Sequence, residues 1–176
     1  MKTIKEKSSH EKPLAYFITF RTYGTWLHGD ERQSVDRARN KYDTPKINPN
    51  KNLKKQMEMQ QKFPSVLLTE QHGDIILNSF VHASNQHDWK LNSLHIRTNH
   101  IHTTILADEK PETVMTKLKT VATHFLRKQN HFPQHQPIWS RGGSTKYLWT
   151  PESLYFASEY TLERQGQKMV YYFNPV

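Results

Sequence analysis

Apolar and polar side chains alternate along several short segments of the chain, the pattern of strands with one buried face. The first strand falls within residues 14–27, which open with aromatic and β-branched residues. Residues 91–97 and 101–106 predict two further strands joined by a tight turn. Residues 146–149 predict a fourth. The chain therefore has strands before, between and after its longer segments.

Apolar residues recur every three or four positions in two longer segments, which predicts amphipathic helices packed on a sheet. These helices span residues 69–89 and 111–128. A shorter helix is predicted over residues 53–62. A last helix begins at Thr150, a favoured N-cap residue followed by proline, and is expected to run to about Gly166.

The order of the main elements is β-α-β-β-α-β-α, which is typical of a ferredoxin-like split β-α-β unit. We therefore predict an α+β fold with an antiparallel sheet and its two crossing helices on one face. The other face is left available for a ligand. The last helix carries Tyr155 and Tyr160 and follows the sheet as an addition to this unit.

The domain organisation follows from composition along the chain of 176 residues. Residues 1–13 predict a disordered basic tail and residues 14–176 a single domain. Residues 28–64 form a long polar insertion with three prolines, a kind of segment that is usually functional or mobile. No apolar run reaches the roughly 18 to 20 residues of a membrane span, and the N-terminus lacks the apolar core of a signal peptide. We expect a cytoplasmic protein without a membrane partner.

The net charge and the absence of cysteine limit the kinds of partner and of reactive side chain that this chain can have. The chain has 25 Lys and Arg against 16 Asp and Glu, a formal charge of +9, which favours a polyanionic partner such as nucleic acid. Because it has no cysteine, disulfide frameworks, thiolate zinc sites and a cysteine nucleophile are excluded. Any chemistry must therefore come from histidine, carboxylate, hydroxyl or phenol groups.

Two histidines on one predicted strand are the first candidate site. His100 and His102 are two residues apart, so both point to one face with Cα atoms roughly 6 to 7 Å apart. Ile101 faces the helices instead. Two imidazoles in this arrangement can converge on one divalent cation, although two half-exposed strand histidines without a ligand are the commoner meaning of so short a pattern.

The tyrosines of the last helix are the second candidate. Tyr155 and Tyr160 lie five residues apart on a helix and therefore point in different directions, so one can pack while the other faces a site. Glu163 and Arg164 lie one turn beyond Tyr160 on the same face. A lone helical tyrosine is usually an ordinary packing residue, and the paired histidines and the basic charge are what make this one a candidate.

These features together resemble a known family. His100-Ile101-His102 within RTNHIHTTI matches the His-hydrophobic-His motif of the single-tyrosine HUH transposases of the IS200-like group, which include domesticated relatives associated with repetitive extragenic palindromes. FRTYGTWLHGDERQSVDR at residues 20–37 and WSRGGSTKYLW at residues 139–149 resemble a branch with a long insertion after the first strand. The resemblance spans residues 14–167, with Thr98 in place of a frequent proline.

The resemblance implies a metal-dependent transposase that cleaves and rejoins single-stranded DNA. His100 and His102 would bind Mg2+ or Mn2+, and Tyr160 would be the nucleophile that forms a 5′-phosphotyrosine intermediate. Many relatives have a third ligand, a glutamine one turn after the tyrosine. Here Gln165 follows Tyr160 by five residues, so it could serve only if the helix end is distorted, and Glu163 is the easier alternative.

The remaining expectations concern DNA, assembly and alternatives. Relatives act as homodimers, so a homodimer on hairpin DNA and association with the nucleoid are expected. Tyr155 is the fallback nucleophile.

Two other functions remain as alternatives to a transposase. One is a domesticated hairpin-binding protein without cleavage, and the other is a metal-independent RNA endonuclease of similar fold. The basic candidates for DNA contact are Arg21, Arg32, Arg37, Arg97, Arg141 and Lys146, and the candidate stacking surfaces are Trp26, Trp139, Tyr147 and Trp149.

Overall fold

The computed structural model describes residues 12–27, 29–31, 48–166 and 168–175. Most of the predicted tail therefore lies outside the described residues, as do Arg32, Arg37 and much of the insertion. No described helix is long and apolar enough to cross a membrane.

A five-stranded antiparallel sheet forms the centre of the fold. Its strands are β1 Ala15–Arg21, β2 Lys90–Ile96, β3 His100–Leu106, β4 Ser144–Leu148 and β5 Val170–Phe173. They lie in the order β4-β1-β3-β2-β5. The first four strands have the order of a ferredoxin-like unit, so the predicted α+β fold is confirmed. The fifth strand is not among the predicted strands and extends the unit beside β2.

Four helices accompany the sheet: α1 Lys51–Met59, α2 Glu70–Gln86, α3 Pro111–Lys128 and α4 Pro151–Glu163. Helices α2 and α3 pack on each other and on one face of the sheet, where alternate strand residues supply the core. The fully buried members of that core include Ile18, Phe20, Leu94, Ile101 and Ile105. The strand residues that the sequence pattern assigned to the buried face are therefore the ones that form the core.

The opposite face of the sheet is not left open as predicted. Helix α4 lies across it, contacting β2 and β3 most and β1 and β4 less. It buries one apolar residue, Leu154, and two hydroxyl residues, Ser158 and Thr161. Asn92 of β2 donates to the hydroxyl oxygens of Thr104 and Ser158 at 2.9 and 2.7 Å, which ties the helix to the sheet. Any ligand on this face must share it with α4.

The described part of the insertion separates into an exposed helix and an ordered return. Helix α1 begins and ends two and three residues earlier than predicted and has no buried residue. Val66 and Leu68 near the end of the segment are buried in the core, and their backbone N–H groups donate to Tyr23 and Thr98 carbonyls. This return is part of the packed domain.

Candidate active site

His100 and His102 lie on the face of the sheet that α4 covers, at the start of β3. Their ring centres are 4.8 Å apart, with the rings nearly perpendicular. The predicted alternation holds, because Ile101 between them is fully buried in the core on the other face. The pair therefore projects into the space between the sheet and α4.

Each imidazole is oriented by a hydrogen bond at its Nδ1 atom. His102 Nδ1 lies 2.7 Å from the hydroxyl of Thr19, its neighbour on β1, and His100 Nδ1 lies 2.6 Å from Oδ1 of Asn99. Because an amide oxygen only accepts, His100 carries its proton on Nδ1 and has a lone pair on Nε2. A neutral imidazole fixed in this way is the usual form of a metal-binding histidine.

Burial keeps both imidazoles neutral. Desolvation, and then the charge of Arg97, lowers the pKa of His100 to about 4. Desolvation, and then His100 itself, lowers the pKa of His102 to about 3. The side chain of Gln165 lies close enough to both histidines to oppose part of this lowering of their pKa values. Near neutral pH the two rings are therefore uncharged and able to act as nitrogen ligands.

Tyr160 reaches the histidines from α4 of the same chain. Its ring centre is 5.9 Å from that of His102, and the rings meet edge to face. Phe17 of β1 stacks on His102 and meets Tyr160 edge to face, so the three rings form one cluster. The side chain of Tyr160 is nevertheless 43% exposed, which leaves room for a large substrate to approach it.

Gln165 reaches the same place because α4 ends earlier than predicted. The helix stops at Glu163 rather than near Gly166, and Gly166 has a φ of +71°, the left-handed conformation common just after a helix. The Nε2 atom of Gln165 then donates to the carbonyl oxygen of Tyr160 at 3.2 Å, while the same side chain contacts both imidazoles. The helix end is therefore distorted in the way that brings Gln165 to the histidines.

Glu163 and Tyr155, the alternatives to Gln165 as ligand and Tyr160 as nucleophile, have other partners. Glu163, the easier choice on helical geometry, forms an ion pair with Lys168 at 2.7 Å. Arg164 pairs with Glu159 at 3.0 Å. Tyr155 is 66% exposed and its ring contact is with Phe156. Of the two tyrosines, Tyr160 is the one whose ring contacts the histidine pair.

Two of the solved structures that are similar to this chain are described as transposases. One is the REP-associated tyrosine transposase bound to a REP hairpin, with 10% identity over 90% of this chain and 70% of that one and a TM-score of 0.47. The other is a candidate transposase from Deinococcus radiodurans R1, with 12% identity over 92% of this chain and 98% of that one and a TM-score of 0.45. No family model and no curated protein matches the sequence. Both similarities are low, and the function proposed below depends on this chain's own residues.

The side chains fit a divalent cation that completes its shell with other ligands. Two neutral imidazoles and one amide oxygen suit Mn2+ better than Mg2+, which prefers oxygen throughout. Among the described residues, no group of three or more His, Cys, Asp or Glu side chains could hold a metal ion. A cation here would therefore depend on water or on a substrate phosphate for its remaining ligands.

Two of the predicted basic residues border the histidines. Arg97 lowers the pKa of both rings, and a Cβ atom on Gly166 would lie 3.5 Å from its Nη1 atom. Arg21 is the register partner of His100 on β1, and its guanidinium carbon lies 3.0 Å from the ring centre of Trp26. These two guanidinium groups give the site a positive border on two sides.

The other two described candidates lie farther along the sheet. Lys146 on β4 is exposed and is the register partner of Phe17, so it faces the histidine side. Arg141 is exposed in the loop before β4. Lys119 holds that loop by donating to the carbonyls of Ser140 and Gly142, and Ser140 N–H donates to the carbonyl of Arg21. The loop is thereby attached to the end of β1 that carries the site.

The predicted aromatic surfaces are not on one side. Tyr147 stacks on Trp149 with ring centres 6.0 Å apart, but its register partner is the core residue Tyr16, so this pair lies on the α3 side of the sheet edge. Trp139 packs on Phe20, and its indole N–H donates into α3. Only Trp26, through Arg21, lies near the histidines.

Sequence reasoning missed Phe17, Thr19, Asn99 and His95. Asn99 was adjacent to the motif and could have been found, since an amide beside a metal-binding histidine is a natural orienting partner. Thr19 and His95 could not, because they meet His102 only through strand register.

Proposed function

We propose that this chain is a metal-dependent nuclease and strand transferase acting on single-stranded DNA beside hairpins, with Tyr160 as its nucleophile. The observation that carries the proposal is that one chain brings Tyr160, His102 and Gln165 to a single point. A structural tyrosine has no need of two neutral, buried imidazoles and an amide around it. Transposition of a DNA element is the role that the sequence resemblance implies for this chemistry.

The metal-binding role is assigned to His100, His102 and Gln165. The Nδ1 partners Asn99 and Thr19 leave the Nε2 atoms for coordination, and the hydrogen bond from Gln165 Nε2 to the Tyr160 carbonyl leaves Oε1 for the same purpose. When bound, a divalent cation supplies polarisation of the scissile phosphate and stabilises charge on its oxygens.

The reaction transfers a phosphoryl link from DNA to the protein. The phenol oxygen of Tyr160 attacks phosphorus, the bond from phosphorus to the 3′ oxygen breaks, and that oxygen leaves with a proton as a free 3′-hydroxyl. The fragment on the 3′ side of the break remains linked to Tyr160 through its 5′ phosphate, as a 5′-phosphotyrosine. Because the number of phosphodiester bonds is conserved, another 3′-hydroxyl can reverse the step and join a new strand without a nucleotide cofactor.

The basic border has a separate task, which is to hold the strand. Arg97 and Arg21 lie beside the imidazoles and can pair with phosphates on either side of the scissile one. Lys146 and Arg141 extend the positive surface toward β4. A strand that crosses the exposed ring of Tyr160 would then be neutralised along its length.

The experiment is adduct formation with purified protein. A pool of labelled single-stranded DNAs with hairpins is incubated with Mn2+, and covalent protein-DNA product is read on a denaturing gel. Wild-type protein should form the adduct, Tyr160→Phe should form none, and chelation should abolish it. Tyr155→Phe is the matched control, since it removes the same hydroxyl from the same helix at a ring that contacts Phe156 instead of His102.

Three results would overturn the assignment in different ways. An adduct that survives in Tyr160→Phe and is lost in Tyr155→Phe would move the nucleophile to Tyr155. Cleavage of matching RNA hairpins, incubated in parallel without metal and giving no adduct, would favour the endonuclease alternative. Tight hairpin binding by a protein that forms no adduct with the hairpin it binds would make it a binding protein.

A further inference from the structure

His95 is a third histidine beside the site, and neither the motif nor the proposed chemistry uses it. It lies on β2, is fully buried, and is the register partner of His102 on one side and of Tyr171 on the other. Register partners on adjacent strands point to the same face, so His95 lies beneath α4 next to the metal-binding strand.

One hydrogen bond joins His95 to the turn that carries Tyr160. Its Nδ1 atom lies 2.9 Å from the carbonyl oxygen of Thr161, the residue directly after the tyrosine. That carbonyl is one of the last four of α4, which ends at Glu163, and such carbonyls have no partner within the helix. The N–H of His95 therefore supplies from the sheet the partner that the helix cannot.

Apart from the contacts of the Tyr160 ring with Phe17 and His102, little apolar surface is buried at this turn. Of the three buried residues of α4, Leu154 lies in the first turn and Ser158 in the middle, leaving Thr161 alone near the end. Ser158 is held by Asn92, and Thr161 by His95. Because apolar packing contributes so little here, a directional hydrogen bond has more influence on the position of the turn than it would in a core helix.

We propose that His95 is a positioning residue that fixes the C-terminal turn of α4 over the metal-binding strand and so sets the placement of Tyr160 against His102. This role rests on the proposed function, because it matters only if Tyr160 reacts there. His95 sits in β2 beside the strand of His102 and bonds to the residue beside Tyr160, so one side chain links the two halves of the site. The same contact holds the start of the turn that returns Gln165 to the imidazoles.

The single hydrogen bond of the His95 imidazole determines which substitutions test the proposal. Its Nε2 atom has no hydrogen-bond partner among the described residues, so the donor at Nδ1 makes its only hydrogen bond found there. His95→Asn keeps an N–H near the position of Nδ1, whereas His95→Leu fills similar space without a donor. A difference between these variants therefore reports on the hydrogen bond rather than on volume.

Three measurements are made on wild-type protein and both variants at equal folded fraction. Hydrogen exchange of a peptide covering residues 158–166 reports on the turn, with a peptide from α3 as the internal reference. Affinity for hairpin DNA reports on the binding surface. The single-turnover rate of adduct formation in Mn2+ reports on the placement of Tyr160.

His95→Leu should lose protection in residues 158–166 and form adduct on the order of tenfold or more slowly, because small displacements of a nucleophile are costly. Its DNA affinity should be unchanged, and His95→Asn should recover most of both losses. The proposal is wrong if His95→Leu keeps its protection and rate, or if Asn and Leu behave alike. If wild-type protein forms no adduct, the proposed function fails, and the exchange data alone decide whether His95 holds the turn.

Discussion

Burial of two neutral histidines should make the metal-free protein sensitive to acid. In the folded chain the pKa values of His100 and His102 are about 4 and about 3, below the ordinary value of 6.5. Below pH 6.5 the unfolded chain gains protons at these residues while the folded chain does not. Stability is therefore fully present above that pH and is lost as pH falls toward 4 and 3.

The size of the effect between pH 7 and pH 5 follows from the same values. At pH 5 both histidines remain essentially neutral in the folded chain, so the loss depends on the unfolded pKa and hardly on how far below 5 each folded value lies. Each histidine then contributes about 2 kcal/mol of lost stability. The two together remove about 4 kcal/mol, a large part of the roughly 5 to 15 kcal/mol of a typical domain.

The assay is urea unfolding at pH 7 and pH 5 in the presence of a chelator. Burial also lowers the pKa values of His72 and His95. The informative quantity is therefore the difference between wild-type protein and His102→Asn, whose free energy of unfolding should fall about 2 kcal/mol less between the two pH values. His124→Asn, at an exposed position of α3 away from the site, is the matched control for removing an imidazole. Equal losses in wild-type protein and His102→Asn would refute the reasoning.

Three further predictions concern the packing of α2, the buried hydroxyl groups under α4 and the turn at Gly166. Gly73→Ala should lose about 1–3 kcal/mol of stability in urea, because a Cβ atom there would lie 2.7 Å from Val170 Cγ2, and adding Val170→Ala should recover part of the loss. Asn92→Leu should cost about 1–3 kcal/mol by the same assay, since it leaves buried hydroxyls without their donor. Gly166→Ala should cost about 1–2 kcal/mol through its φ of +71° and weaken Mn2+ binding in calorimetry, and unchanged binding would contradict its role in presenting Gln165.

The sheet and its helices could be predicted because each buries one face with a regular period. The alternation in β1 and β3 placed His100 and His102 together on one face, since a period of two leaves no other choice. The stripes of α2 and α3 were equally regular. What the pattern could not predict was α4 on the supposedly open face, because its buried residues are one leucine and two hydroxyl residues.

The position of Gln165, the third candidate ligand, could not be predicted from the sequence. A helix continued to Gly166 carries Gln165 away from Tyr160 and favours Glu163. The chain instead leaves the helix after Glu163, and the turn at Gly166 brings Gln165 back. Contacts that depend on strand register, such as Thr19 and His95 with His102, lie equally beyond a reading of one segment at a time.

The burial that lowers acid stability is also what prepares the proposed chemistry. An imidazole in water is partly protonated near pH 6.5 and loses its metal-binding lone pair when charged. Under α4 the two rings stay neutral far below that pH, and their Nδ1 partners fix their direction. All four proposed reacting and ligating groups lie together within one chain. The helix that carries Tyr160 is thus the same element whose burial of the two proposed metal ligands keeps them neutral.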